Sequence, residues 1–134
     1  MDASRERRLE RISGGSYANR ESKPPKIVID SAEKGNPVAI TQTLAHEVGH
    51  VTYPYTPDYS SKTAFVNGTL VDEGAATPNN IKVQREIMAN GGKDIGIAGN
   101  NANHAIYNQA YDQSLKDGNA AAARQTIGTR FGNG

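Results

Sequence analysis

Apolar positions recur at three- and four-residue intervals along most of this chain, which is the spacing of a helix with one buried face. Such runs, bounded by Gly, Pro and Asn, predict four helices, at about 38–52, from 65 or 67 to 90, at 102–116 and at 120–131. Lys26–Asp30 is short and β-branched and predicts a strand. The predicted fold class is therefore α+β, mostly α-helical, with loops at residues 13–25 and 53–64.

The first predicted helix has recognisable ends. Asn36 can cap it by accepting a backbone N–H, and Pro37 suits the first helical position, where no N–H is needed. Pro54 disfavours a helical conformation for the residue before it, so the helix is expected to stop near residue 52.

The same helix carries an apolar stripe and one glycine. Ile40, Leu44 and Val48 lie at i, i+4 and i+8 and predict the face that packs against the core. Gly49 costs about 1 kcal/mol relative to alanine inside a helix. A glycine there indicates that another backbone or a ligand comes close to this helix.

The second predicted helix contains Pro78, which removes one backbone hydrogen bond and predicts a kink or a break near Thr77. Its end is predicted at Gly91 and Gly92, because glycine readily adopts the left-handed conformation that closes a helix. Gly118 predicts the end of the third helix for the same reason.

Length and charge bound the class of protein. The 134 residues suffice for one domain with a modest core, taken here as residues 1–134 with 1–25 partly flexible. The formal net charge of +1 gives no field that would attract nucleic acid or an acidic membrane. Glutamates alternate with the N-terminal arginines, which favours a solvated amphipathic helix over a nucleic-acid-binding arm. These arginines are Arg5, Arg7, Arg8 and Arg11.

The chain has no cysteine, so it forms no disulfide and offers no thiolate to a metal. It has no apolar run of about 18 residues that would predict a membrane span. Its N-terminus lacks the apolar core of a signal peptide. We therefore expect a chain that is made in the cytoplasm and stays there, leaves without a cleaved signal, or belongs to a longer protein.

The segment His46-Glu47-Val48-Gly49-His50 carries the candidate chemistry. Two histidines at i and i+4 lie on one face of a helix, where both rings can reach one Zn²⁺ at about 2.0–2.1 Å. Glu47 follows the first histidine and can take a proton from a water on the metal. The segment therefore predicts a zinc site with Glu47 as general base and not as ligand.

Catalytic zinc usually has three protein ligands and an open position. Without cysteine, the third ligand must be His104, an aspartate or a glutamate. Glu73 is the leading candidate, because a loop and a returning helix fit before it and the small residues Gly74–Ala76 would let that helix come close. Glu86, Asp72 and His104 are the alternatives, and Asp72 could instead hold a ligand histidine by a hydrogen bond.

Aromatic residues near the motif have two interpretations. His104, Tyr107 and Tyr111 share one helix face and could donate hydrogen bonds to a developing oxyanion, although an aromatic stripe in the core is the favoured interpretation. Three tyrosines in the loop after the motif could line a pocket mouth, and packing on the surface is favoured slightly. They are Tyr53, Tyr55 and Tyr59.

The motif and its downstream glutamate resemble the zincin superfamily of zinc metallopeptidases, and within it the gluzincins, whose third ligand is that glutamate. The metzincin motif continues to a glycine and a third histidine, where this chain has Tyr53 and Thr56. Residues 38–90 carry the specific part of the likeness. The compact spacing is similar to small gluzincin domains, some of which are effector or toxin domains injected by bacterial secretion systems.

The resemblance implies a minimal zincin core with a short strand edge next to the zinc helix. Lys26–Asp30 is the natural edge, because an extended peptide can add to a strand by backbone hydrogen bonds. Several gluzincins have an Asn just before the ligand Glu and an Asp four after it that supports a histidine. Here Asp72 and Thr77 stand at those positions, so the residue that supports the histidine is left open.

Three functions follow as alternatives. The first is a zinc-dependent hydrolase that cleaves a peptide-type amide bond, acting as an effector or toxin on a target-cell protein, or as an amidase on peptidoglycan peptides. Its partners would be a protein or peptide substrate and a secretion-system component or immunity protein. The second is a non-catalytic zinc-containing binding module, and the third is a domain without metal.

Overall fold

The computed structural model describes residues 15–133 and shows an α+β fold that is mostly helical, as predicted. The amphipathic segment expected near residues 5–12 lies outside this range. A two-stranded sheet is followed by four helices, with short 3-10 turns before the first and third. The strands are β1 (Tyr17–Asn19) and β2 (Lys26–Val28), and the helices are α1 (Pro37–Thr52), α2 (Lys62–Ala89), α3 (His104–Asp117) and α4 (Ala120–Asn133).

The two strands pair antiparallel, with Tyr17 opposite Val28 and Asn19 opposite Lys26. The predicted strand at Lys26–Asp30 is present over its first three residues. The prediction of loop for residues 13–25 is wrong at β1, which is too short and too polar to show alternation and is defined by its pairing with β2. Both strands contact α1, so the short sheet lies next to that helix.

The ends of α1 are those predicted. The Asn36 side chain accepts a hydrogen bond from the backbone N–H of Ala39 at 3.1 Å, Pro37 is the first helical residue, and the helix stops at Thr52 before Pro54. The Asn36 cap therefore accounts for the start of this helix, and Pro54 accounts for its end.

The predicted core-facing stripe of α1 is wrong. Leu44 is 44 % exposed, and Ile40 and Val48 are only half-buried. The buried residues of the helix are instead small, polar or ionisable, and they are Thr43, Ala45, His46, Glu47, Gly49 and His50. The face that packs inward therefore carries the candidate chemistry, and little apolar side-chain volume lies on it.

Helix α2 runs unbroken through Pro78, so the break that this proline predicts near Thr77 is absent. It also begins earlier than predicted, because the Ser61 side chain caps it by accepting from the N–H of Ala64 at 3.0 Å. Its end is as predicted, since Asn90 is the cap and Gly91 has a φ of 84°.

Helix α4 packs along α2 at a distance that glycine permits. A Cβ on Gly74 would clash with the backbone oxygen of Arg124, and a Cβ on Gly128 would clash with that of Leu70. An apolar cluster completes the core beside these helices. It consists of Ile81, Ile97, Tyr107 and Ile127, with Ala110, Tyr111 and Phe131 packed against it.

The segment between α2 and α3 is held by one side chain. Asn80, fully buried in α2, donates from Nδ2 to the carbonyl of Gly96 at 3.0 Å and accepts from the N–H of Ala98 at 2.8 Å. No helix in residues 15–133 has the length and apolar content needed to cross a membrane.

Candidate metal centre

Helices α1 and α2 bring His46, His50 and Glu73 together in the interior. The Nε2 atom of His46 lies 3.3 Å from Oε2 of Glu73, and the Nε2 atom of His50 lies 3.4 Å from the same oxygen. The three side chains are at most 3 % exposed. Within the described part of the chain, this is the group whose ligand atoms lie close enough together to hold one metal ion.

The spacing of these atoms suits a tetrahedral metal. Two ligands about 2.0–2.1 Å from one ion at the tetrahedral angle lie roughly 3.3–3.4 Å apart. The observed 3.3 and 3.4 Å fall in that interval, whereas N–H···O hydrogen bonds centre near 2.9–3.0 Å. Two imidazoles and one carboxylate form a donor set that zinc uses. The residues present therefore fit a zinc ion.

The same atoms also attract one another without a metal. Burial tends to raise the pKa of Glu73, but the nearby charges and hydrogen bonds of His50 and His46 lower that pKa to about 2. Burial tends to lower the pKa of His50, but Glu73 and Asp72 raise it well above 6.5. For His46, burial outweighs Glu73 and the pKa is lowered. The site thus keeps Glu73 negatively charged and favours a positive charge at His50 but not at His46. Either a proton or a metal ion could supply that charge.

Asp72 holds the second ring nitrogen of His50. Its Oδ2 lies 3.0 Å from Nδ1 of His50, and its side chain is 1 % exposed. A carboxylate on the far nitrogen of a ligand histidine fixes the ring and its tautomer. Thr77, at the other position considered from the sequence, is 3.5 Å from the backbone oxygen of Glu73 and so bonds within its own helix.

Gly49 allows α2 to pack closely against α1. A Cβ at this position would lie 2.6 Å from Cα of Ala76 and 2.8 Å from its carbonyl oxygen. The close approach expected at Gly49 is therefore present. Of the small residues after Glu73, Ala76 makes this approach, whereas Gly74 faces α4.

The other candidate ligands lie elsewhere. The Glu86 side chain is 62 % exposed and 4.0 Å from Nζ of Lys82. His104 begins α3, half-buried, with its ring 6.2 Å from that of Tyr107. Tyr107 is fully buried in the apolar cluster, and burial raises its pKa. Tyr111 is half-buried against that cluster, with the Arg85 guanidinium 4.9 Å from its ring.

The loop tyrosines are engaged in packing. Tyr59 stacks on Phe65 with ring centroids 5.4 Å apart. The guanidinium carbon of Arg124 lies 5.3 Å from the ring centre of Tyr53. Tyr53 and Tyr55 also line a surface cavity of about 390 Å³ between the loop and α2.

Sequence reasoning missed Arg20, which bonds both Asp72 and the backbone of His50. It stands in a Ser-, Gly- and Pro-containing stretch with no motif of its own, and its two partners lie 30 and 52 positions away. No local signal marks such a residue.

Comparison with models of protein families, with curated proteins and with solved structures finds no match for this chain. The chemistry of the site is therefore inferred from its own residues.

Proposed function

We propose that the chain is a zinc-dependent hydrolase of the gluzincin type that cleaves a peptide-type amide bond. His46, His50 and Glu73 are the proposed zinc ligands, and Glu47 is the proposed general base. The observation that carries the proposal is the convergence of three ligand atoms from α1 and α2, with each histidine at the spacing of a tetrahedral zinc site from Glu73. The sequence of α1 also places a carboxylate, that of Glu47, directly after the first ligand.

When bound, Zn²⁺ would supply Lewis acidity that polarises a substrate carbonyl and lowers the pKa of a water molecule toward about 7. The protein's own part is to hold three donors and leave a fourth position open, as catalytic sites do. Asp72 fixes the ring of His50, and the close contact of Gly49 with Ala76 brings the short arm of Glu73 within reach.

Glu47 handles the proton in this proposal. It is fully buried and follows His46 in the same helix. Its carboxylate accepts a proton from the attacking water and returns it to the leaving amine, a role that contributes about 10²–10⁴-fold to a rate.

The test is Glu47→Gln, which keeps the size of the side chain and removes the base. We expect unchanged zinc content and melting temperature, and a fall of about 10²–10⁴-fold in cleavage of proteins or peptides in bacterial and host extracts. Glu86→Gln, the same change at an exposed position of α2, is the control and should cleave like the parent.

Two results would contradict the proposal. Equal cleavage by Glu47→Gln and the parent would remove Glu47 as the base. A parent protein that holds no zinc, either after purification without chelator or after zinc is added, would remove the metal centre itself.

A zinc domain without catalysis is the second candidate function. The observation that favours it is burial, since His46, Glu47 and His50 are 0 % exposed and Glu73 is 2 % exposed. A substrate must reach the metal, whereas a structural ion need not be reached. Zinc binding by the parent and by Glu47→Gln, with no cleavage by either and capture of the same partner by both, would favour this function.

The proposed setting is an effector or toxin acting on a target-cell protein or on peptidoglycan peptides, and it rests only on the spacing of the motif and Glu73, which resembles that of small bacterial gluzincin domains. Expression in bacteria tests it, because the parent should arrest growth and Glu47→Gln should not. Arrest only when an export signal is added would favour the peptidoglycan alternative. Harmless expression in both compartments would count against a bacterial target.

A further inference from the structure

Arg20, directly after strand β1, contacts both helices that form the candidate metal centre. Its guanidinium donates to both carboxylate oxygens of Asp72, including Nη1 to Oδ2 at 3.1 Å. It also donates from Nε to the backbone oxygen of His50 at 3.1 Å, and Nη2 reaches the same oxygen. One side chain therefore holds the backbone of a candidate ligand and the carboxylate that holds its ring.

Asp72 depends on this contact. Its side chain is 1 % exposed, and a buried carboxylate is costly unless charged or hydrogen-bonding partners surround it. The planar guanidinium binds a carboxylate through two parallel N–H groups and so sets the plane of the carboxylate. With the plane set, Oδ2 of Asp72 lies at 3.0 Å from Nδ1 of His50.

The position of Arg20 is itself restrained. Its guanidinium carbon lies 4.9 Å from the ring centre of Tyr55, a cation–π contact. The hydroxyl of Tyr55 is 3.3 Å from Oγ1 of Thr69 in α2. The side chain is 18 % exposed, so its contacts are largely sheltered from solvent.

We propose that Arg20 is a positioning residue of the zinc centre. By orienting Asp72, it keeps the Nδ1–H of His50 donating to that carboxylate and leaves Nε2 as the lone-pair donor to the metal. The inference rests on the proposed zinc site and adds a residue to it. It gives the segment between the two strands a function, because the first residue after β1 is the arginine that orders a ligand on α1 through a carboxylate on α2.

Arg20→Gln tests the proposal, because it removes the charge and the two-pronged geometry. We expect its affinity for Zn²⁺ to fall by about 10–100-fold, the usual effect of losing a partner that orients a metal ligand. Affinity is measured by competition against a chromogenic chelator, with the full chain. Arg20→Lys keeps the positive charge but cannot donate two parallel N–H bonds to one carboxylate. It should therefore recover only part of the lost zinc affinity.

Arg85→Gln is a matched control. Arg85 also pairs with a carboxylate, that of Asp112, and its guanidinium carbon also lies 4.9 Å from a tyrosine ring, that of Tyr111. Arg85 lies 12 positions after Glu73 in the same helix, roughly 18 Å along its axis at 1.5 Å per residue. Arg85→Gln should therefore bind zinc like the parent.

A double-mutant cycle separates positioning from general support of the fold. If Arg20 acts through Asp72, then Arg20→Gln added to Asp72→Asn should weaken zinc binding less than twofold beyond Asp72→Asn alone. The visible spectrum of Co²⁺ bound in place of zinc should change in Arg20→Gln and stay unchanged in Arg85→Gln. A role confined to stability would lower the melting temperature of the metal-free protein and leave both readouts at the parent values.

The outcomes are distinct. A parent that binds no zinc overturns the proposed function and this inference with it. A parent that binds zinc, with Arg20→Gln and Arg20→Lys both binding as tightly as Arg85→Gln, overturns the inference alone. If Arg20→Gln does not fold, Arg20→Lys decides, since equal affinity to the parent contradicts positioning and a weaker affinity with an altered Co²⁺ spectrum supports it.

Discussion

The two candidate histidine ligands differ in how their second ring nitrogen is held. Nδ1 of His50 meets Asp72 at 3.0 Å, while Nδ1 of His46 is buried and has no hydrogen-bond partner among the described residues. Ligand histidines nearly always donate from that nitrogen, because the bond fixes the ring. His50 is therefore the more strongly oriented of the two, and Glu73, which faces both Nε2 atoms, supplies the contact they share.

Glu73→Ala should weaken zinc binding by more than about 100-fold, beyond the 10–100-fold typical of losing a residue that only orients a ligand. The reason is that one of three proposed metal bonds is lost. Isothermal titration or chelator competition measures the affinity, and Glu86→Ala, at an exposed position of the same helix, should bind like the parent. Similar affinities for the two variants would exclude Glu73 as a ligand.

At the scale of elements, the α1–α2 pair is packed through backbone and small side chains instead of an apolar seam. Gly49 meets the backbone of Ala76 directly, and none of the three apolar residues of the stripe, Ile40, Leu44 and Val48, is among the fully buried residues of α1. The glycine could be predicted to mark a close approach, since the motif helix has no other reason to include one. The sequence could not predict that the partner of Gly49 is Ala76 and not Gly74. The choice between them depends on how α2 is rotated between α1 and α4.

Gly49→Ala should destabilise the fold by about 1–3 kcal/mol, the usual cost of inserting atoms into a packed interior. It should also weaken zinc binding, because α1 and α2 must separate to admit a Cβ now 2.6 Å from Cα of Ala76. Chemical denaturation and chelator competition measure the two effects.

Gly68→Ala is the control for that change. Gly68 is also inside a helix, but a Cβ there meets only the Tyr55 ring at 3.9 Å, an ordinary contact. Removing a helical glycine should stabilise the protein by roughly 0.5–1 kcal/mol. Equal stability changes in the two alanine variants would show that the α1–α2 contact is not tight.

At the scale of the molecule, the sequence predicts features set by neighbouring residues, but it does not predict contacts between segments far apart in the chain. The motif helix and its ends follow from residues within a few positions of each other, as the cap at Asn36 shows. The outward position of Leu44 and the contact of Arg20 with Asp72 depend on segments far apart in sequence, which spacing does not encode. Glu73 could be proposed as a ligand from the sequence, because a loop and a returning helix fit between it and the motif and small residues follow it.

Removal of metal should be visible in the stability of the whole chain. If only the folded state binds zinc, then zinc at about 1,000 times its dissociation constant adds about 4 kcal/mol to the free energy of unfolding. This corresponds to a rise of roughly 10–20 °C in melting temperature. Thermal unfolding of the chelated protein before and after zinc is returned measures this. His46→Ala should show almost none of the rise, and an equal rise in that variant would place the metal elsewhere.

The proposed metal centre would also crosslink the chain across segment 53–61, which joins α1 to α2. An ion bound by His46 and Glu73, 27 positions apart, would be a crosslink around this mostly exposed segment. In the chain-entropy view, closing a loop of this size removes roughly 3–4 kcal/mol of freedom from the unfolded chain. A single backbone cut within the segment would then leave two pieces tethered through the ion, and a chelator would weaken that tether without touching a covalent bond.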